Sequence, residues 1–151
     1  MLKNLHPALN ADVLHALRSM GHGDTLVISD TNFPSDSVAR QTVLGRPLSM
    51  ANLSSAEAVR VLLSVLPLDT PLQNSAGRME VMGAPDDIQP VQREVQVEID
   101  RAEGKPSPMY GIERFAFYDL AKRAYCVIPP GEPRFYGCFL FTKGVIPPAT
   151  V

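Results

Sequence analysis

The chain has 151 residues, 45% of them hydrophobic, and a formal net charge of −2 from 14 Lys and Arg against 16 Asp and Glu. That length holds about one domain with a real core, and the mildly acidic balance argues against a nucleic-acid surface, which would show a basic patch. Two cysteines with no CxxC pair argue against a disulfide scaffold and a zinc finger; no apolar run nears a membrane span, and the first residues lack a signal peptide's apolar region, so a cytoplasmic location is expected.

Asn10 can cap a helix whose apolar stripe is Val13, Leu14, Leu17 and Met20. Gly21 stands where a left-handed residue would end it. His22-Gly23-Asp24 then makes a short turn into an apolar, buried strand at 25–29, which runs into Asp30. Residues 31–37 read as a polar loop. A strand near 42–44 or 47–50 is weakly indicated, because Gly45 and Pro47 interrupt it. Ser54 and Glu57 have capping-box spacing, and Val59, Leu62, Leu63 and Leu66 form a helical stripe that Pro67 ends.

Residues 68–71 read as a turn and 78–82 as a strand. Pro85-Asp86-Asp87 opens a further helix with Val91, Val95 and Ile99 at every fourth place, stopped by Gly104 and Pro106. Residues 114–124 read as a helix with Phe117, Leu120, Ala121 and Ala124 along one side. A strand at 125–128, a proline-rich loop at 129–133 and a last strand at 135–142 follow. The last strand is apolar on both faces, which suits a central position. Helices interleaved with strands, with no repeat and no linker, predict one α/β domain with helices packed on a sheet.

Three clusters could carry chemistry. His22 lies between two glycines at a helix-to-strand turn, and an imidazole exchanges protons near neutral pH. Asp30 ends the same strand and could accept hydroxyl groups. The plainer reading is that His22 caps the helix end and Asp30 starts a turn. Arg114 begins a helix, where its charge opposes the dipole, so its guanidinium calls for a carboxylate or a ligand oxygen. Tyr118 on that helix carries a phenol. Arg134-Phe135-Tyr136-Gly137-Cys138 enters the last strand, with a phenol on Tyr136 and room for close approach at Gly137. Its plainer reading is a loop-to-strand junction. Neither a phosphate loop nor an HExxH motif occurs, and His6, His15 and His22 are too scattered for a metal site. Both cysteines read as buried structural thiols.

Taken in order, Met20-Gly21-His22-Gly23-Asp24, Ser29-Asp30, Asn32-Phe33-Pro34, Arg114-Phe115-Ala116-Phe117-Tyr118, Tyr136-Gly137 and Lys143-Gly144-Val145 resemble the family of L-fucose mutarotases and D-ribose pyranases (RbsD/FucU), nearer its fucose branch. The resemblance implies one such domain over residues 1–151, a single α/β domain with a mixed β-sheet flanked by helices in three α/β/α layers. It implies an isomerase acting on a free monosaccharide, L-fucose first, with no cofactor or metal. It also implies no nucleic-acid or membrane partner, and a homo-oligomer built as a decamer of two pentameric rings. By the same resemblance His22 and Tyr136 are catalytic, with His22 the proton donor. Asp30, Arg114, Tyr136, Gly137, Cys138, Asp69 and Tyr118 bind the sugar. Cys138 stands where the family usually has Asn. The alternatives are a pyranase acting on another sugar and a sugar-binding accessory protein of uptake without turnover.

Overall fold

A computed structural model describes residues 1–70 and 74–149 of the chain. Its centre is a five-stranded mixed sheet of β1 (Thr25–Ile28), β2 (Ala76–Met79), β3 (Tyr110–Ile112), β4 (Cys126–Ile128) and β5 (Phe139–Thr142). The spatial order is β3-β2-β5-β1-β4. β5 pairs antiparallel with both its neighbours, whereas β1 pairs parallel with β4 and β2 parallel with β3. Four strands therefore point one way and only β5 opposes them. The last strand is central, as its two apolar faces require.

Strand residues alternate between two buried faces. Leu26, Ile28, Phe139 and Phe141 join one core with α1 (Ala11–Ser19), α3 (Ser55–Leu63) and α4 (Pro90–Glu103). Val27, Met79, Cys138 and Leu140 join a second core with α2 (Ser35–Ala39) and α5 (Arg114–Lys122). The result is the expected three-layer arrangement. Each fully buried Leu or Phe in it stabilises the fold by about 1.5–3 kcal/mol. Among the described residues, no helix is long and apolar enough to cross a membrane.

The helix starts follow their caps. Asn10 Oδ1 accepts the Val13 N–H at 3.0 Å, and Ser54 with Glu57 closes a reciprocal capping box. Several boundaries differ from the sequence reading. The long helix α4 begins at Pro90, not at Pro85. Pro sits at its first position, Gln89 and Gln92 cap it, and residues 81–87 are spent on turns closed by Ala84 N–H to the Val81 carbonyl and Asp87 N–H to the Ala84 carbonyl. The polar loop at 31–37 ends in the short α2, which has no side-chain cap to announce it. The 78–82 strand is shifted back to Ala76–Met79, and the last strand begins at Phe139 rather than 135.

Residues 42–50 form no strand. They run beside β4 through isolated bonds, such as Leu48 N–H to the Val127 carbonyl at 2.9 Å. β3, three residues with a central glycine, exists through its pairing with β2. The left-handed glycine after α1 is Gly23 (φ 85°), not Gly21. Of the expected 68–71 turn, Pro71 lies outside the described residues, and Leu68 bridges to Lys143.

Candidate active site

The direction of the strands divides the functional residues into two groups. β1, β2 and β3 end at one side of the sheet, where Asp30, Met79 and Arg114 follow or close them, and β5 begins there after Tyr136-Gly137-Cys138. Carboxyl ends of parallel strands are where open α/β sheets place ligands. A cleft of about 340 Å³ opens at this edge, lined by Asp30, Asn32, Phe33, Met79, Arg114, Tyr118, Phe135, Tyr136 and Cys138. That volume is at the small end of ligand pockets, about 300–1,000 Å³.

Asp30 is 5% exposed. Its Oδ1 accepts the N–H groups of Asn32 (2.9 Å) and Phe33 (3.0 Å), and its Oδ2 faces the Cys138 thiol at 3.5 Å. It does start a turn, as the plainer reading holds, and it also faces the cleft. Burial, then the neighbouring Asp30 charge, pushes the Cys138 thiol well above its ordinary pKa, so the cleft floor is neutral there. Burial pushes Cys126, away from the cleft, up to about 12.

Arg114 has no carboxylate partner among the described residues. Its Nη2 lies 3.5 Å from the Tyr118 hydroxyl and its guanidinium 5.8 Å from the ring centre, and the Tyr118 hydroxyl leads the causes that raise its pKa. Tyr118 stacks on Phe33 at 5.2 Å with the rings 9° from parallel, which makes one apolar wall.

Tyr136 has φ 62°. For a bulky side chain the left-handed region costs about 1–2 kcal/mol, and such strain persists only where neighbours enforce it. Four residues before it, Glu132 is 0% exposed and accepts bonds from Arg134 Nε (2.7 Å), Arg134 Nη2 (2.9 Å) and the Ser55 N–H (3.2 Å). Arg134 also grips Glu94 of α4 with two bonds of 2.8 Å. Burial opposes the Glu132 charge, but the bonds from Arg134 and Ser55 outweigh it and hold the carboxyl below its usual range. The Arg134 bond lowers Glu94 likewise. Gly137 is needed for this packing, since a Cβ there would sit 2.8 Å from Glu132 Cγ.

His22 is not in the cleft. It precedes β1, whereas Asp30 follows it, and the three steps of β1 alone span about 10 Å. His22 Nε2 lies 3.0 Å from Asp69 Oδ2, with the imidazole 59% exposed and the carboxylate 5% exposed. Asp69 is held at this end because its N–H donates to the Thr142 carbonyl at 3.0 Å. His22 does not cap α1; Lys143 Nζ donates to the carbonyls of Leu17 and Met20 instead.

One chain thus gathers Asp30, Arg114, Tyr118, Tyr136 and Cys138 around the cleft, with Gly137 packed behind it, and sets His22 with Asp69 at the opposite sheet end. The sequence reading missed Met79, Glu132 and the double grip of Arg134, and named Phe135 in its third cluster without a role. The aromatic and apolar ones carry no local signal, Glu132 meets Ser55 from 77 residues away, and Arg134 meets Glu94 from 40 residues away. Among the described residues no group of three His, Cys, Asp or Glu side chains gathers as a metal site.

Fold and site together define a three-layer α/β protein with a small polar-and-aromatic cleft at the strand carboxyl ends and a separate His–Asp pair. Residues 3–146 match the RbsD / FucU transport protein family, to which the chain belongs. It is 37% identical to the fucose mutarotase of Bos taurus, over 98% of this chain and 96% of that one. Its fold superposes with a TM-score of 0.96 on the crystal structure of a putative sugar binding protein, at 77% identity and 97% coverage of both chains. It superposes with a TM-score of 0.85 on the Streptococcus pneumoniae fucose mutarotase in complex with L-fucose, at 28% identity over 96% of this chain and 99% of that one.

Proposed function

We propose that this chain is a cofactor-independent mutarotase that interconverts the anomers of a free monosaccharide, L-fucose first among them. The observation that carries this reading is the cleft, where a buried carboxylate, a guanidinium with no carboxylate partner among the described residues and two phenols surround a small space with one aromatic wall. Hydroxyls of a sugar suit the polar groups, and its apolar face suits the wall.

The reaction needs two proton transfers and no redox step. His22 donates a proton to the ring oxygen while the anomeric hydroxyl gives its proton to water, directly or through a phenol, Tyr136 first, that passes its own proton on to water as it accepts. The bond from the anomeric carbon to the ring oxygen breaks as a carbonyl forms. Rotation and the reverse transfers close the other anomer. Acid–base help of this kind is typically worth about 10²–10⁴-fold. Asp69 orients the imidazole, Asp30 and Arg114 hold hydroxyls, and Tyr118, Gly137 and Cys138 complete the contact surface.

Because His22 and the cleft lie at opposite ends of one sheet, a second copy must bring its His22–Asp69 pair to the first copy's cleft. That contact joins unlike surfaces and closes into a ring when the rotation allows. Phe135 at 71%, Phe115 at 65% and Met82 at 59% exposure are apolar side chains free to be covered in such a contact. A pentameric ring paired into a decamer of single 1–151 domains, working in the cytoplasm, is the assembly we propose.

Magnetisation-exchange NMR on equilibrated L-fucose tests the function. Faster anomer exchange with the chain, lost in His22→Ala, supports it. A second reading, a sugar-binding protein without turnover, is favoured by the description of the 77% identical relative as a putative sugar binding protein. It predicts binding with no added exchange. D-ribose in the same assay tests the pyranase alternative.

A further inference from the structure

Gln92, on the buried side of α4, is 0% exposed and belongs to none of the groups assigned above. Its Nε2 donates to the Met79 carbonyl at 2.8 Å and to the Tyr136 carbonyl at 3.2 Å. Its Oε1 accepts the Gln89 N–H at 3.2 Å. One amide therefore uses both donors on the main chain of two residues that line the cleft. Tyr136 is also the chain's left-handed aromatic residue, at φ 62°. Relaxing that φ to a negative value would re-aim the bond that carries its phenol. The phenol is fixed at its far end as well, because Tyr136 Oη accepts the Met82 N–H at 3.3 Å. That leaves the phenol's own proton to be donated elsewhere.

We infer that Gln92 is a positioning residue: by bonding the Tyr136 carbonyl while anchored to Met79 and Gln89, it holds Tyr136 in its left-handed conformation and aims the phenol into the cleft. This rests on the reading of that cleft as the sugar site. The amide is the chemistry the position requires. A hydrocarbon would leave two carbonyls without their donor, and an ionised carboxylate would turn oxygen against oxygen.

The test uses the full-length protein with Gln92→Met, Gln92→Glu, Tyr136→Phe and the double variant of Gln92→Met with Tyr136→Phe. Anomer exchange and the NMR signals of ring-labelled tyrosines are measured on each. Gln92→Met is expected to lower kcat by about 10- to 100-fold with KM changed by less than about threefold. The double variant should be no slower than Tyr136→Phe to within about twofold, since aim is lost only once. Gln92→Glu should recover exchange as pH falls, because the protonated acid can donate one bond. The Tyr136 signal should move in Gln92→Met while those of Tyr110, Tyr118 and Tyr125 stay in place.

Additive losses in the double variant, a change in KM alone, or an unmoved Tyr136 signal overturns the inference. If Gln92→Met does not fold, Gln92→Glu decides through its pH profile and its Tyr136 signal. If the wild-type chain does not speed exchange, the mutarotase reading fails by itself, and the tyrosine signals still decide whether Gln92 sets Tyr136.

Discussion

The two ends of the sheet are built on different principles. At the carboxyl end, Asp30, Glu132 and Gln92 are 5%, 0% and 0% exposed, and their bonds fix both the main chain and the side chains around the cleft. At the amino end, His22 presents a 59% exposed imidazole on a turn bounded by Gly21 and Gly23, hydrogen-bonded to Asp69. In the proposed mutarotase the binding groups are held to a fixed shape and the proton donor reaches out to what it serves. On that proposal the cleft is one half of the site, and the exposed histidine is the half offered to a second copy.

The sharpest way to break this contrast is to remove the imidazole. His22→Ala should cost about 10²–10⁴-fold in catalysed exchange with only a small loss of thermal stability, about 1 kcal/mol for the bond to Asp69, because the exposed imidazole contributes little to packing. A large fall in melting temperature would place His22 in the structure rather than the chemistry. Mixing makes the comparison sharper still. His22→Ala and Asp30→Ala are each expected to be inactive, and subunit exchange between them should restore up to about a quarter of wild-type activity, since one junction in four joins two intact halves. No recovery after verified exchange would mean that each chain works alone.

Arg134→Met tests the rigid end. It strands the Glu132 carboxylate in the interior and should cost about 3 kcal/mol in denaturant unfolding, with NMR changes concentrated around the cleft and not at His22.

Acid should loosen the same end first. Glu132 and Glu94 both have pKa values lowered by Arg134 in the fold. Their contribution is fully present above the unfolded carboxyl value of about 4.3 and is lost as pH falls through the lowered folded values. Hydrogen exchange followed as pH is lowered below about 4 should show residues 129–138 opening before the strands; simultaneous opening would remove the distinction.

The smallest effect is expected at the presented half. Gly23 has φ 85° with nothing within 4 Å of a would-be Cβ, so Gly23→Ala meets only backbone strain, about 1 kcal/mol in a melting experiment. A larger cost would mean the turn is packed more tightly than its exposure indicates.

Local chemistry was legible where a few neighbouring residues decide the outcome. Asn10, the Ser54–Glu57 box, the stripe Val91, Val95 and Ile99, and the apolar run of β1 each set an element from within a short window. His22, Asp30, Arg114 and Tyr136 were legible as candidate chemistry by residue type and place, each beside a plainer local reading, and the family likeness tied them together. Where a distant partner decides, the sequence misled. Pro85-Asp86-Asp87 looks like a helix start, but the Pro85 carbonyl accepts Arg78 Nη2 from β2 at 3.0 Å, and the helix waits for Gln89 and Pro90. The last strand looks extended from 135, yet the left-handed Tyr136 breaks it.

What the sequence determined by itself is thus the type of most elements, the burial of the central strand and the residue types of the candidate site, because periodicity, caps and side-chain chemistry act over a few residues. Only the tertiary structure decided that β5 runs against its neighbours, which carries Tyr136 to the edge where Asp30 and Arg114 stand and leaves His22 and Asp69 at the other. Strand direction is fixed by which apolar faces and hydrogen-bond ladders can be satisfied together across the sheet, and no short stretch of the chain contains that choice.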